Sequence, residues 1–237
     1  MFVDIKIALF LSIILFVSSI VFFINKLIKS SKHQLFGGLI NKINTTEKVV
    51  ALTYDDGPNP PYTQELLNIL ENLQAKATFF VVGKNVEQYP EIVKDILSKG
   101  HELGNHSYSH SAMIFKRPSV IRNEIKRTDR LLHKFGAKSN IHFRVPYGYK
   151  FIILPLILKR MQKKNILWNL DPKDYAASDS ETIENYVIEH IQPGSIILMH
   201  DGGGDRSLTL TATENLIIKL RQQGYEFKTV SDLIELK

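Results

Sequence analysis

The sequence predicts a parallel α/β domain behind an N-terminal apolar helix. Two patterns predict the domain. Short β-rich apolar runs alternate with stretches of helical period about seven times, and the unusual ionisable residues fall just after the apolar runs. A third pattern predicts the helix. Residues 7–24, "IALFLSIILFVSSIVFFI", carry no charge over 18 positions.

As a helix that segment is about 27 Å long, close to the thickness of a bilayer core. A core helix of a soluble domain has the same length but rarely lacks polar residues on every face. A cleaved signal peptide would need a small-residue site, and Val17-Ser18-Ser19 is a poor one because the apolar run continues past it. The expectation is an uncleaved anchor within residues 1–34, spanning residues 7–24. Lys26, Lys29 and Lys32 follow the span and only Lys6 precedes it, so flanking charge by itself would leave the domain in the cytoplasm. Residues 35–47 read as a linker, and residues 48–237 as one domain with a sizeable core.

The strands are expected at residues 49–53, 78–82, 101–105, 141–144, 166–168, 195–199 and 226–229. Between them, "TQELLNILENL" sets Leu66, Leu67, Leu70 and Leu73 on one helical face. "YPEIVKDILSKG" begins near a proline and ends at Gly100. "SETIENYVIEHI" offers Ser180 as a cap, and "TATENLIIKLRQQG" ends at Gly224. The least regular helical stretch is "FIILPLILKRMQKK", interrupted by Pro155. Seven such units could close a barrel or lie open as a doubly wound sheet, and periodicity does not choose.

Composition narrows the chemistry. The chain has no cysteine, which excludes disulfides, thiolate metal sites and a cysteine nucleophile. Its net charge of +6 divides into +3 for residues 1–34 (four Lys against Asp4) and +3 for the remainder (26 basic, 23 acidic). That mild excess suits an anionic surface such as lipid headgroups or a cell wall. No basic stripe with interleaved aromatics is present, which argues against nucleic acid.

In parallel α/β folds function collects at the carboxyl ends of strands. Those ends carry Asp55 and Asp56, His106 and His110, Arg144, Asp171 and Asp174, and His200 with Asp201. The H-x-x-x-H pair is a weak signal alone, since eight histidines make chance pairs common. On a helical turn, both imidazoles could hold one ion. Two neutral imidazoles and a carboxylate leave open positions for water and substrate, as in catalytic zinc sites. A cation there would explain two adjacent aspartates at a strand end: one as ligand, the other ionised beside it as a base. Arg144, between Phe143 and Val145-Pro146, reads as a buried partner for a carboxylate. His200 follows an apolar strand, where a structural histidine is the plain alternative. "HDGGGDRS" lacks the Lys-Ser/Thr of a phosphate loop and reads as a flexible turn, and the remaining histidines read as surface or structural.

The ordered segments "TYDDGP", "HSYSH", "RVPYG", "DPKDY" and "LMH" resemble the five motifs of the NodB-like polysaccharide deacetylases, carbohydrate esterase family 4. The resemblance runs from about residue 48 to 236. It implies a distorted (β/α) barrel of seven parallel strands. It also implies Asp55 as catalytic base, Asp56, His106 and His110 as ligands of a divalent metal (most often Zn2+), and Arg144 orienting Asp55. The Tyr147 N–H would help hold the oxyanion, and Asp174 would pair with His200 as general acid. Tyr175 stands where the family usually has Trp, in the pocket for the acyl methyl. The activity implied is removal of N-acetyl groups from an N-acetylglucosamine-containing polysaccharide (peptidoglycan or a chitin-like glycan) by a monomeric, membrane-anchored domain outside the cytoplasm. O-deacetylation of a glycan such as xylan, or non-catalytic glycan binding, are the alternatives. A nucleotide-binding fold is disfavoured for want of a phosphate fingerprint.

Overall fold

The computed structural model describes residues 2–137 and 140–236, so the last position of the expected domain lies outside the described residues. Its centre is strand β2 (Val49–Asp55), buried along its whole length as a strand covered on both faces must be. Strand β3 (Ala77–Val81) pairs with β2 in parallel from Leu52 onward, and β4 (Glu102–Asn105) pairs with β3. On the other edge β6 (Ile196–His200) runs parallel to β2, setting Asp55 beside His200 in register. The two-residue β7 (Glu226–Phe227) pairs with the start of β2, before β3 begins. Two further short strands, β1 (Leu39–Ile40) and β5 (Asn165–Ile166), pair with each other. Single parallel bridges link Asn105 to Phe143, Phe143 to Asn165, and Leu170 to Ile197.

Six of the seven expected strands are thus present. The segment at residues 141–144 contributes two single bridges, both at Phe143, in place of a ladder, and the added strand β1 lies within the stretch read as a linker. That stretch is packed: Ile43 is buried, and Lys42 bridges Ser195 in antiparallel fashion.

Helix α1 (Phe2–Lys29) contains a stretch, Ile7–Lys29, long and apolar enough to cross a membrane; a signal sequence has the same properties. The connecting helices cover the sheet. Helix α2 (Tyr62–Asn72) buries Leu66, Leu67 and Leu70, and α4 (Pro90–Ser98) buries Ile92, Val93 and Ile96 after the short α3 (Gly83–Gln88). Helix α5 (Pro118–Lys134) packs through Ile121, Ile125, Thr128 and Leu132. Helix α6 (Ile153–Arg160) tolerates Pro155 because it falls in the first turn, where the N–H has no intrahelical acceptor to lose. The cap of α7 (Ser180–His190) is Asp179, whose carboxylate accepts from the Thr182 N–H at 2.7 Å; Ser180 is the first helical residue. Helices α8 (Ser207–Gln222) and α9 (Val230–Glu235) complete the chain.

Candidate active site

Strand β2 places Thr53 and Asp55 on one face, two residues apart. Both meet Arg144. The guanidinium donates to Asp55 Oδ1 at 2.7 Å and to Thr53 Oγ1 at 2.8 Å, and its Nε donates to the Ile166 carbonyl at 3.0 Å. Arg144 is fully buried, with its plane over Phe80. A charge held so deep is tolerated because its donors are spent on acceptors and its partner is a carboxylate.

Beyond Asp55 the chain turns through a left-handed residue, Asp56 (φ 76°), which sends the second carboxylate away from Arg144 and toward two imidazoles. Asp56 Oδ1 lies 2.9 Å from His110 Nε2 and 3.5 Å from His106 Nε2, and His106 Nε2 lies 3.6 Å from Asp55 Oδ2. His106 Nδ1 meets the Arg144 carbonyl at 2.9 Å, which fixes it as the N–H donor and leaves Nε2 a bare lone pair facing two carboxylates. Burial pulls the His106 imidazole down from its ordinary value, against the opposing pull of Asp55 and Asp56, so it is held neutral. Burial pushes the Asp56 carboxyl up, but His110, His106 and His200 outweigh it and hold it well below the usual carboxylate range. One ligand atom each from Asp56, His106 and His110 fall within 4.8 Å of one another, and Asp56 Oδ1 is buried without a hydrogen-bond partner. An acceptor carboxylate and an acceptor imidazole aimed at the same point repel unless a cation lies between them. The donor set therefore fits a divalent ion.

The H-x-x-x-H pair does not sit on a helix. Ser107 (φ 67°) and His110 (φ 54°) are left-handed, and the loop folds back so that the two rings approach to 4.9 Å. The loop is pinned from inside by the His110 N–H to Ser107 Oγ bond at 3.0 Å. From outside, Glu124 of α5 accepts from the N–H groups of Tyr108 (3.1 Å) and Ser109 (2.8 Å).

His200 faces the same cleft from the end of β6. Its Nδ1 donates to Asp174 Oδ1 at 2.7 Å, and its backbone N–H donates to Asp174 Oδ2 at 2.8 Å. Thr209 Oγ1 supplies Oδ2 with a second donor at 2.8 Å. Burial pulls the His200 imidazole down, but the Asp174 bond and charge, with Asp55 and Asp56 behind them, raise it above its ordinary value. This histidine is biased toward the protonated form, in contrast to His106.

The cleft between these groups has a volume of about 350 Å³. Tyr147 (φ 60°) lays its half-exposed ring against His110 at 4.7 Å, and Tyr175 stands edge-on to His200 at 5.3 Å. The sequence did not single out Trp168, Tyr149 and Arg206, which also line it. Aromatic residues scattered along a chain carry no spacing signal.

The "HDGGGDRS" segment turns through exposed Gly203, Gly204 and Asp205 but is packed at both ends. Asp201 is fully buried, accepts from Thr63 Oγ1 at 2.6 Å, and sits where a Cβ on Gly57 would lie 2.1 Å from its carboxylate. A Cβ on Gly202 would come within 2.3 Å of the Asp56 backbone. Arg206 returns to donate to the Gly202 and Gly203 carbonyls. These glycines allow two backbones to touch beneath the Asp55–Asp56 turn. His101 and His142 are buried away from the cleft, and His33, His133 and His190 are on the surface.

A carboxylate fixed by arginine, a carboxylate–imidazole triad and a histidine primed by aspartate, gathered at the carboxyl ends of parallel strands, define a hydrolytic site of the acid–base kind, with a place for a metal ion. The family model for polysaccharide deacetylase matches residues 42–165. A peptidoglycan-N-acetylglucosamine deacetylase from Bacillus cereus is 37% identical over 198 residues, 83% of this chain and 92% of that protein. The crystal structure of a peptidoglycan N-acetylglucosamine deacetylase superposes with a TM-score of 0.80 at 30% identity, covering 84% of this chain and 94% of that one. A Bacillus anthracis pseudoenzyme of carbohydrate esterase family 4 matches with a TM-score of 0.77 at 29% identity, over 86% of this chain and 71% of its own. The chain belongs to the polysaccharide deacetylase family, the NodB-like carbohydrate esterase family 4, and is an enzyme of that class.

Proposed function

We propose that this chain removes N-acetyl groups from the N-acetylglucosamine of a polysaccharide, peptidoglycan foremost, releasing acetate and leaving a free amine. The observation that carries the reading is a complete base and a complete acid in one cleft: Asp55 held by Arg144 at 2.7 Å, and His200 held by Asp174 at 2.7 Å. The pseudoenzyme relative shows that the fold alone does not make a catalyst, so the argument rests on these pairs. The printed names of the Bacillus cereus relative and of the crystal structure support the substrate class.

A divalent ion, zinc in our reading, held by Asp56, His106 and His110, would polarise the amide carbonyl and a water. Arg144 holds Asp55 turned toward the attacking water, and Asp55 takes its proton as the C–O bond forms. The Tyr147 N–H meets the negative charge that grows on the carbonyl oxygen. His200 then gives its proton to the nitrogen as the C–N bond breaks, and Asp174 stabilises the imidazolium beforehand. Tyr175 borders the acyl methyl.

The single bridges at Phe143 and Leu170 support closure of the strands into the family's distorted barrel. We assign residues 1–34 to a single-pass anchor, 35–47 to a lead-in and 48–237 to a monomeric catalytic domain. We place that domain outside the cytoplasmic membrane, where such polymers are found. The flanking-charge rule is a bias, and downstream domains cross despite it.

The test offers the detergent-solubilised full chain peptidoglycan, chitooligosaccharides and acetylxylan in parallel, with acetyl loss followed by mass spectrometry. Loss from the first two and not the third is expected. Loss from acetylxylan alone would establish O-deacetylation, and loss from none would leave a binding module. Protease added to intact, wall-stripped cells should digest the domain; protection until lysis would put it inside.

A further inference from the structure

We infer that the face beside the catalytic cleft, built from residues 113–115, 151–154 and 35–36, rests on an anionic bilayer surface and holds the cleft against the membrane. The inference rests on the reading of α1 as a membrane span.

The end of α1 does not hang free. Ile28 is buried, its carbonyl accepts from the Lys150 N–H at 3.1 Å, and the buried Lys150 ammonium donates to the Ser30 carbonyl. Lys29 lies over the ring of Tyr149 at 5.8 Å. Tyr149 lines the catalytic cleft and packs against Tyr147, which packs against His110. The last turn of the apolar helix is therefore joined to the loop that forms one wall of the site.

The residues next along that loop are apolar and exposed. Ile152 and Ile153 follow Lys150 by two and three positions, and residues 151–154 share a small cavity with residues 113–115. Phe115 is 85% exposed and held in left-handed backbone (φ 59°). A bulky side chain adopts that conformation at a cost, and here it turns an aromatic ring into solvent. Leu35 and Phe36 are also exposed, and the adjoining Gly37 packs against Pro155 and Lys159 of α6. Among the described residues this is the surface where exposed large apolar side chains from separate loops gather next to the helix exit. Its border is cationic: Lys26, Lys29, Lys32, Arg117, Lys159 and Arg160 are all exposed.

Apolar side chains ringed by lysine and arginine, continuous with a membrane helix, match an interface of acyl chains and negative headgroups. The charges after α1 that strain the flanking-charge rule would thereby contact lipid headgroups on the side where the domain lies. The glycan reaching this cleft would be the polymer nearest the membrane, the product of a glycan-polymerising reaction at the bilayer surface.

The absence of native cysteine makes the test direct. Single-cysteine variants Phe115→Cys and Ile152→Cys on the face, Gln222→Cys at the far end of α8, and Ser18→Cys within α1 are labelled with a fluorophore. Each full chain is reconstituted in vesicles of equimolar phosphatidylglycerol and phosphatidylcholine carrying nitroxide lipids of graded depth. Residue 115 or 152 should be quenched several-fold more than 222 by the headgroup-level nitroxide, and residue 18 by the deep one. Quenching at 18 with equal, weak quenching at 115, 152 and 222 overturns the inference and leaves the anchor standing; a second copy covering the face would read this way. No quenching at 18 overturns the anchor and the inference with it. Identical quenching at 115 in vesicles of phosphatidylcholine alone overturns the choice of an anionic surface.

Discussion

Asp55 and Asp56 are neighbours in sequence with opposite surroundings, because β2 ends between them. Asp55 keeps the strand's direction and meets a buried guanidinium, whereas Asp56 turns through φ 76° and meets imidazoles. The two histidines differ in the same way. His106 gives its Nδ1 proton to a carbonyl and is held neutral, and His200 gives its own to a carboxylate and is raised. An amine leaving a tetrahedral centre needs a proton, whereas an aryl oxide does not. General acid catalysis is typically worth about 10²–10⁴ in rate, or roughly 3–5 kcal/mol. His200→Ala should lose that factor on an N-acetyl sugar and far less on an aryl acetate, with Asp55→Asn losing both and metal content unchanged in each. The pH profile follows from the sign of the shift. A raised imidazole stays protonated above the ordinary histidine range, so amide hydrolysis should persist there and fall only as pH climbs through the raised value. His200→Ala should lack that descent. Equal losses on amide and aryl ester, measured by steady-state kinetics beside metal analysis, would reduce His200 to a positioning role.

Strands and helices were legible in proportion to how far local pattern determined them. The buried runs of β2, β3 and β6 and the leucine face of α2 are strong local signals, and the structure bears them out. The segment at 141–144 was over-read because its pairing is confined to Phe143, which bridges Asn105 on one side and Asn165 on the other, and a strand pattern does not state its length. Helix α5 went unread because charged residues surround its apolar positions and Thr128 takes one place in the buried stripe. Asp55, Asp56, His106 and His200 stand out in the sequence because each lies at or just past the end of a strand. Thr63, Thr209 and Glu124, which hold Asp201, Asp174 and the His110 loop, do not, since one hydroxyl or carboxylate on a helix gives no sign of what it reaches. The unread helix yields a test at this scale. Glu124→Ala removes the acceptor of two loop N–H groups and should lower metal affinity on the order of 10-fold, as loss of supporting contacts does elsewhere. Asp179→Ala removes the α7 cap far from that loop. It should lower stability by about 0.5–2 kcal/mol with metal affinity unchanged. Titration calorimetry and urea unfolding on the same two variants check both halves, and equal metal affinity in the two would show that α5 does not brace the loop.

At the scale of the whole molecule, one rim gathers Asp55, Asp56, Asp171, Asp174 and Asp201, with Arg144 and Arg206 as the nearest fixed cations. Burial pushes the Asp201 carboxyl up to about 7 against the opposing Thr63 hydrogen bond, and repulsion from Asp56 and Asp55 adds to the rise. An ion bound by Asp56, His106 and His110 would relieve that repulsion in the folded chain and find no preformed site in the unfolded one, so binding should add directly to stability. At a free ion concentration of 100 times Kd the gain is about 2.7 kcal/mol, and at roughly 2–4 °C per kcal/mol for a chain of this size the midpoint should rise by roughly 5–11 °C. Thermal unfolding of the full chain after dialysis against a chelator should show that loss, and added zinc should reverse it. His106→Ala should start near the chelated midpoint and respond to neither treatment. Asp55→Asn should keep the whole response while losing activity, because it removes the base and leaves the three ligands in place. A chelator shift of the same size in His106→Ala as in the parent chain would mean that the ion binds elsewhere, and the triad would lose its assignment.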